Sequence, residues 1–300
     1  MLHLGTIVAM NNLLEPGRYV VAVSGGVDSV VLVHMLKQDE NLQLSIAHFD
    51  HGIRDDSPDD AEFVRRLAEK DGLHYFTDRK ELGSNASEAQ ARKYRYEFLH
   101  SVRKKVNATA VVTAHHQDDL IETALLNLLR GTKRRGLVSL RSTATLKRPL
   151  LNMSKADLKQ YAERNGLEWR EDSTNRDVRY KRNRIRLIIS QNLDSKKRKE
   201  ITGILKSIDK QNTEIEEVIS KYLAAHPPDR LDKTQLSGLP ASEASEIVAQ
   251  WLRLNEVSFD RKAVARLIEG AKNLQNGAQI DIQQNSYCAI SKNMITLKRR

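Results

Sequence analysis

Two adjacent glycines, two serines and one carboxylate stand together in VVAVSGGVDS, Val20 to Ser29. Gly25 and Gly26 permit a sharp turn and a close backbone approach to a ligand, with no Cβ atoms in the way. A helix starting near Asp28 would aim unpaired N–H groups and the positive end of its dipole at that ligand, which suits phosphate. Ser24 and Ser29 can donate hydrogen bonds to phosphate oxygens, and Asp28 can hold a Mg²⁺ ion bridging them. The loop is not G-x-x-x-x-G-K-[ST], having no lysine, and it is not G-x-G-x-x-G. The alternative is a tight strand-to-helix turn with no ligand; the serines and the aspartate around the glycines favour phosphate.

Four further clusters carry chemistry. In AHFDHGIRDDS, Ala47 to Ser57, His48 and His51 have the spacing of metal ligands, but zinc sites take three or four protein ligands and cysteine is missing here. His51 and Arg54 fit better as the lining of a nucleotide pocket, unless Arg54 only pairs with Asp55 or Asp56. In TAHHQDDLIETALLNLLRGT, Thr113 to Thr132, Asp119 and Glu122 share one helix face near its start. Acids there also answer the helix dipole, yet Asp118, Asp119 and Glu122 beside His115 and His116 exceed what capping needs. They can hold Mg²⁺ or the ammonium of a cationic substrate. EAQARKYRYEFL, Glu88 to Leu99, sets Arg92 and Arg95 on one face for phosphate or carboxylate. NRDVRYKRNRIR, Asn175 to Arg186, mixes Arg182, Arg184 and Arg186 with Tyr180, a pattern suited to a nucleic-acid backbone and to base stacking.

These loops need strands and helices to place them. Tyr19–Val23, Leu42–Phe49, Leu73–Thr77 and Thr109–His115 read as strands. Between them run helices from about Pro58, with Ser57 as N-cap and Gly72 as stop, and from about Glu88, with a Ser87-x-x-Gln90 capping box. Strands separated by such helices predict a doubly wound parallel α/β sheet, which binds ligands at the carboxyl ends of its strands. A helix from Asp118 to Arg130 follows the fourth strand, and another from Lys155 is capped by Ser154 and stopped by Gly166. Ile201, Ile204, Leu205, Ile208, Ile215, Val218, Ile219 and Tyr222 recur at helical spacing and predict a long amphipathic linker helix. After Pro227-Pro228, helices around 244–254 and 261–269, alternation at 278–282 and a strand at 294–297 predict a small α+β domain. The expected organisation is 1–193 catalytic, 194–226 helical linker and 227–300 small α+β.

The chain has 300 residues, is 40% hydrophobic and 29% charged, and carries a net charge of +10. Nine Lys or Arg lie between Arg179 and Lys199 against the single acid Asp194, so one segment holds most of the excess. Such focus favours a polyanion partner, the alternative being a solvated helix face. No apolar run approaches the length of a membrane helix and no secretory leader is evident, which predicts a cytoplasmic protein. Cys288 is the only cysteine, which excludes an intramolecular disulfide, a Cys-x-x-Cys pair and cysteine-built clusters.

S-G-G-x-D-S after a first strand resembles the signature of the N-type ATP pyrophosphatases, which cleave ATP between the α- and β-phosphates. With the other clusters in order, the chain resembles the tRNA(Ile)-lysidine synthase family. That family carries His-x-Asn-His-Gly-x-Arg, Glu-x-x-Ala-Arg-x-x-Arg-Tyr-x-x-Leu, Ala-His-His-x-x-Asp-x-x-Glu-Thr, Arg-Gly-Thr and Arg-Asn-x-Ile-Arg. The match runs from Val20 to about Leu193. Asp50 replaces the usual asparagine, Lys133 the glycine after Arg-Gly-Thr, and Gln191 the proline after the last motif. The length implies the short form of the family.

The resemblance implies that ATP adenylates the wobble cytidine of a CAU-anticodon tRNA(Ile) and that L-lysine then displaces AMP, changing decoding from AUG to AUA. Ser24, Gly25, Gly26, Val27, Asp28 and Ser29, with His51 and Arg54, would bind ATP, and Asp28 would hold Mg²⁺. Asp119 and Glu122 would grip lysine, and Asp28, Asp119 and Glu122 form the catalytic set. Arg92, Arg95, Arg182, Arg184 and Arg186, with the C-terminal domain, would hold tRNA. A homodimer is admitted, since no residue pattern fixes the oligomeric state. Two rivals stand beside this reading. A tRNA 2-thiolation enzyme that works through cysteine pairs or an iron–sulfur cluster conflicts with a lone cysteine, and a non-catalytic RNA binder has no use for carboxylates beside phosphate.

Overall fold

The computed structural model describes residues 13–52, 57–83, 87–171, 181–273, 275–283 and 285–300. Five strands form one parallel sheet: β1 (Gly17–Ala22), β2 (Leu42–Asp50), β3 (His74–Arg79), β4 (Ala110–Val112) and β5 (Leu146–Lys147), in the order β3-β2-β1-β4-β5. The helices between them are α1 (Val27–Leu36), α2 (Ser57–Lys70), α3 (Glu88–Lys105), α4 (Gln117–Leu129) and the short α5 (Arg134–Leu137), with α6 (Lys155–Arg164) after a 3₁₀ turn at Pro149–Asn152. This is the doubly wound α/β fold expected.

The two sheet faces follow from the period of a strand. Tyr19, Val21 and Val23 go into a core with Val31 and Leu32 of α1, Val64 of α2 and Leu158 of α6. Val20 goes to the other side, with Ala47, Val111 and Leu99 and Val102 of α3. Each fully buried aliphatic side chain contributes about 1.5–3 kcal/mol. Chain order runs outward from β1 through β2 to β3, then returns across to β4. The switch point therefore lies between β1 and β4, where such sheets open a ligand crevice.

The fourth strand ends three residues earlier than expected. β5 pairs only at Val111 and Val112; the Thr113 N–H still donates to the Lys147 carbonyl at 3.0 Å, and Ala114 and His115 leave the sheet for the start of α4. The capping box predicted at Ser87 is formed, and the cap predicted at Ser154 is formed as a capping box with Asp157.

Two further helices follow, α7 (Lys181–Asn192) and the long α8 (Ser195–Ala224). Compactness divides the chain between Lys206 and Ser207, within α8. Ile201 packs with Ile121 of α4 and Ile185 of α7, whereas Ile219 and Leu223 belong to the second core. The second unit contains β6 (Arg230–Asp232), α9 (Lys233–Gly238), α10 (Ala241–Leu254), α11 (Arg261–Asn273), β7 (Gln279–Gln283), β8 (Ser286–Ile290) and β9 (Met294–Arg299). Its antiparallel sheet has the order β6-β9-β8-β7. Trp251, Leu252, Leu267 and Ile290 fill the core. Cys288 sits in β8 between Ile280 and Leu297, fully buried, and burial pushes its thiol up to about 12. Among the described residues no helix is long and apolar enough to cross a membrane.

Candidate active site

The turn after β1 is built around its glycines. Gly25 has φ +89°, a region L side chains avoid, and a Cβ there would stand 3.4 Å from the Phe63 ring of α2. Gly26 caps α1 without any side-chain hydrogen bond, so the first N–H groups of the helix are left for a ligand. The serines brace the turn: Ser29 Oγ donates to the Gly26 carbonyl at 2.8 Å, and the two hydroxyl oxygens are 3.4 Å apart. Val27 differs from its neighbours. Its side chain is buried in the core, which leaves only its backbone to meet a ligand.

A cavity of about 440 Å³ opens at the switch point. Ser24, Gly26, Asp28 and Ser29 line one side, His48, Asp50 and His51 come from the end of β2, and His115 and Asp119 from beyond β4. Arg95 of α3 and Arg170 complete the wall. Arg54 lies outside the described residues, as do Asp55 and Asp56.

The histidines divide their work. His48 is buried, and its Nδ1 lies 2.9 Å from the Val23 carbonyl. That contact makes Nδ1 the protonated nitrogen and ties β2 to the phosphate turn. Among the described residues His51 has no hydrogen-bond partner at Nδ1; burial and the Arg95 guanidinium push its pKa down to about 4. His115 is pushed down to about 3, by burial above all, with Arg148, Arg95 and Arg92 adding to the effect and Asp119 opposing it. Both rings are neutral at neutral pH. Among the described residues no group of three or more His, Cys, Asp or Glu is placed to hold a metal.

The three acids of α4 separate. Asp119 faces the cavity and accepts from the His116 backbone N–H at 3.0 Å. Burial alone would raise its pKa, but His116, His115, that N–H and Arg186 together hold it below the usual carboxylate range. Glu122 is 1% exposed and burial raises its pKa, against the pull of Arg186 and Arg182. Its carboxylate is paired with Arg182 and, at 2.7 Å, with Arg186 Nε, whose guanidinium also lies 3.6 Å from Asp119. Asp118 points elsewhere: it accepts the Lys155 backbone N–H at 2.8 Å and pairs with Arg198.

The structure thus joins groups that sequence reasoning kept apart, since two of the expected RNA-binding arginines lie on the expected lysine-binding glutamate. Arg184 is exposed. Arg92 donates to the Tyr96 hydroxyl at 3.4 Å, and its guanidinium lies 4.7 Å from that ring's centre. Asp50, where asparagine was expected, is buried and accepts from the Gly52 N–H at 2.8 Å and from Ser57 Oγ at 3.1 Å. Arg79 Nε lies 3.5 Å from the same carboxylate, a charge an amide would not answer. Lys133 adopts ordinary extended backbone, φ −73° and ψ 177°, so no glycine is required there.

Sequence reasoning missed three contributors. Lys155 Nζ lies 2.8 and 2.6 Å from the two oxygens of Asp28, Arg170 Nε lies 2.5 Å from Asp60, and Arg148 is buried near His115. They come from residues 148 to 170, with no motif around them. The one available signal was the Ser154 cap, which fixes where Lys155 starts its helix.

A sequence profile of the ATP-binding PP-loop domain matches residues 5–193. The tRNA(Ile)-lysidine synthase of Thermus thermophilus is 45% identical over 176 residues, 57% of this chain and 34% of that protein. The tRNA(Ile)-lysidine synthase of Synechococcus is 41% identical over 179 residues, 57% of this chain and 55% of that protein. The match thus spans about a third to a half of the length of these curated relatives. Among solved structures, the U34-tRNA thiolase of Methanococcus maripaludis, with its iron–sulfur cluster, superposes with a TM-score of 0.55 at 18% identity. That superposition covers 66% of this chain and 73% of the thiolase, a likeness of fold. With the profile spanning more than half of its residues and the SGGVDS turn at the switch point of the sheet, the chain belongs to the PP-loop domain family.

Proposed function

We propose that the protein is a tRNA(Ile)-lysidine synthase, ligating lysine to the wobble cytidine of a CAU-anticodon tRNA at the expense of ATP. The observation that carries this reading is one cavity with two chemistries: the phosphate turn and the Asp119 carboxylate both line it. The curated relatives named lysidine synthases support it.

In the first step the C2 carbonyl oxygen of the cytidine attacks the α-phosphate of ATP, and pyrophosphate leaves. The turn from Ser24 to Ser29 holds the phosphates by backbone and hydroxyl N–H and O–H groups, and so fixes the line of attack. Asp28 suits Mg²⁺, which takes one or two protein carboxylates and fills its other positions with phosphate oxygens and water. Held there, such an ion would neutralise charge on the leaving phosphates. In the second step the lysine ε-amine attacks C2, and AMP departs with the former carbonyl oxygen. Asp119 holds lysine through charge-assisted hydrogen bonds, while Glu122, buried and paired with Arg182 and Arg186, anchors α7 beside it. Arg184 and its basic neighbours meet the RNA backbone. One copy suffices for the reaction as written, and a homodimer is compatible with it.

Incubating a CAU-anticodon tRNA(Ile) transcript with the protein, ATP and lysine should raise the mass of the anticodon fragment by one lysine less one water. A mass change corresponding to sulfur for oxygen, given a sulfur donor, would replace this reading with thiolation, and no change would remove both.

A further inference from the structure

The SGGVDS turn has no lysine, whereas the G-x-x-x-x-G-K-[ST] turn carries within itself a lysine that reaches the β- and γ-phosphates. The fold brings one to the same place from 127 residues away: the Lys155 ammonium lies 2.6 and 2.8 Å from the oxygens of Asp28, in the first turn of α1. That carboxylate lines the cavity.

The backbone of Lys155 is held on both sides. Ser154 accepts the Asp157 N–H at 3.1 Å and donates its own N–H to the Asp157 carboxylate at 3.0 Å, closing the capping box at the head of α6. The Lys155 N–H donates to Asp118 of α4. The side chain is 40% exposed, so a rigid base carries a solvated four-carbon arm. A half-exposed ion pair contributes little to stability, so stability gives little reason for so firm a mounting. An ammonium beside a helix N-terminus that takes phosphate is what a triphosphate needs.

We propose that Lys155 is a phosphate-binding residue of the nucleotide site: its ammonium, paired with Asp28, moves to the β- and γ-phosphates when ATP enters. The inference rests on the nucleotide reading above and adds a residue to it.

ATP and AMP binding to the full chain, measured by calorimetry without tRNA, tests it. Lys155→Met should weaken ATP binding about 10- to 100-fold, the loss of one hydrogen bond to a charged group. AMP affinity and the melting temperature should stay unchanged, and Lys155→Arg should recover part of the ATP affinity. Equal losses for ATP and AMP, or none, would overturn the assignment. In the unaltered chain, ATP but not AMP should protect Lys155 from amine acylation, read by peptide mass spectrometry; absence of that protection also overturns it, whether or not the variants fold. Failure of the unaltered chain to bind ATP would instead remove the nucleotide reading itself.

Discussion

Asp119 and Glu122 sit one helical turn apart and experience opposite fields. Asp119, flanked by two histidines and a backbone N–H, is held ionised below the usual range, while Glu122 is raised by burial and answered by two guanidinium groups. Asp119 is thus the carboxylate ready for an incoming amine. Asp119→Asn should raise the KM for lysine at least tenfold, or about 1.4 kcal/mol, while adenylated tRNA still accumulates; quenched flow would reveal the adenylate. Its absence, with normal ATP and tRNA binding, would move Asp119 to the first step.

The neighbouring rings set a pH dependence. His51 and His115 titrate at about 4 and about 3 in the fold, against 6.5 normally, and burial lowers His48 too. The unfolded chain takes up their protons as the pH falls past 6.5 while the folded chain does not. Their stabilisation is full above 6.5 and declines on acidification toward 4. Glu122, raised, contributes with the opposite sign. Urea unfolding between pH 7 and 4.5 should show stability falling, with a shallower slope in His51→Gln; an unchanged slope would exclude His51 as a contributor. The phosphate turn and the acids of α4 were legible because each lies within a dozen consecutive residues. Lys155, Arg148 and Arg170 were not, because only tertiary structure brings them to those residues.

Helix α7 shows how one element serves two purposes. Arg182, Ile185, Arg186 and Ile189 recur at helical spacing and form the face toward α4: the isoleucines pack with Ile121 and the arginines pair with Glu122. Arg184 is off that face and exposed. Arg184→Gln should therefore weaken tRNA binding and reduce its salt slope by about one unit, with the KM for lysine unchanged. Arg186→Gln should raise the KM for lysine as well. Steady-state kinetics at several salt concentrations separate the two; identical behaviour would mean that α7 acts as a uniform basic surface.

The same face explains why α7 read as a polar stretch. Two of its four anchors are arginines, so no apolar period marks it. The long helix was clear from the spacing of its isoleucines, and β1 from its apolar run. The two residues of β5 and the three of β6 are too few for any period to register, and β8, Ser286–Ile290, shows no apolar–polar alternation.

Each compact unit has its own core and its own tryptophan. Trp169 packs, half-buried, against the core of the first unit. Trp251 is 1% exposed in the second, with its indole N–H donating to the Pro228 carbonyl at 2.8 Å. Trp251→Ala should destabilise the second unit by about 3–5 kcal/mol, lowering its denaturant midpoint while ATP affinity stays unchanged. A loss of ATP affinity in step with that midpoint would mean the units unfold as one. Of the net charge of +10, most lies between Arg179 and Lys199, so long-range attraction of a polyanion converges on the segment that carries α7 and the start of α8.

Cys288 gives the molecule an experimental convenience. Its thiol is out of reach of solvent and raised to about 12, so almost none of it is thiolate at neutral pH. Maleimide dyes will ignore it in the folded chain. A cysteine placed at exposed Lys196, in the basic segment, would thus be the sole labelled position. A fluorophore there can report the arrival of RNA in real time, with the native cysteine left in place.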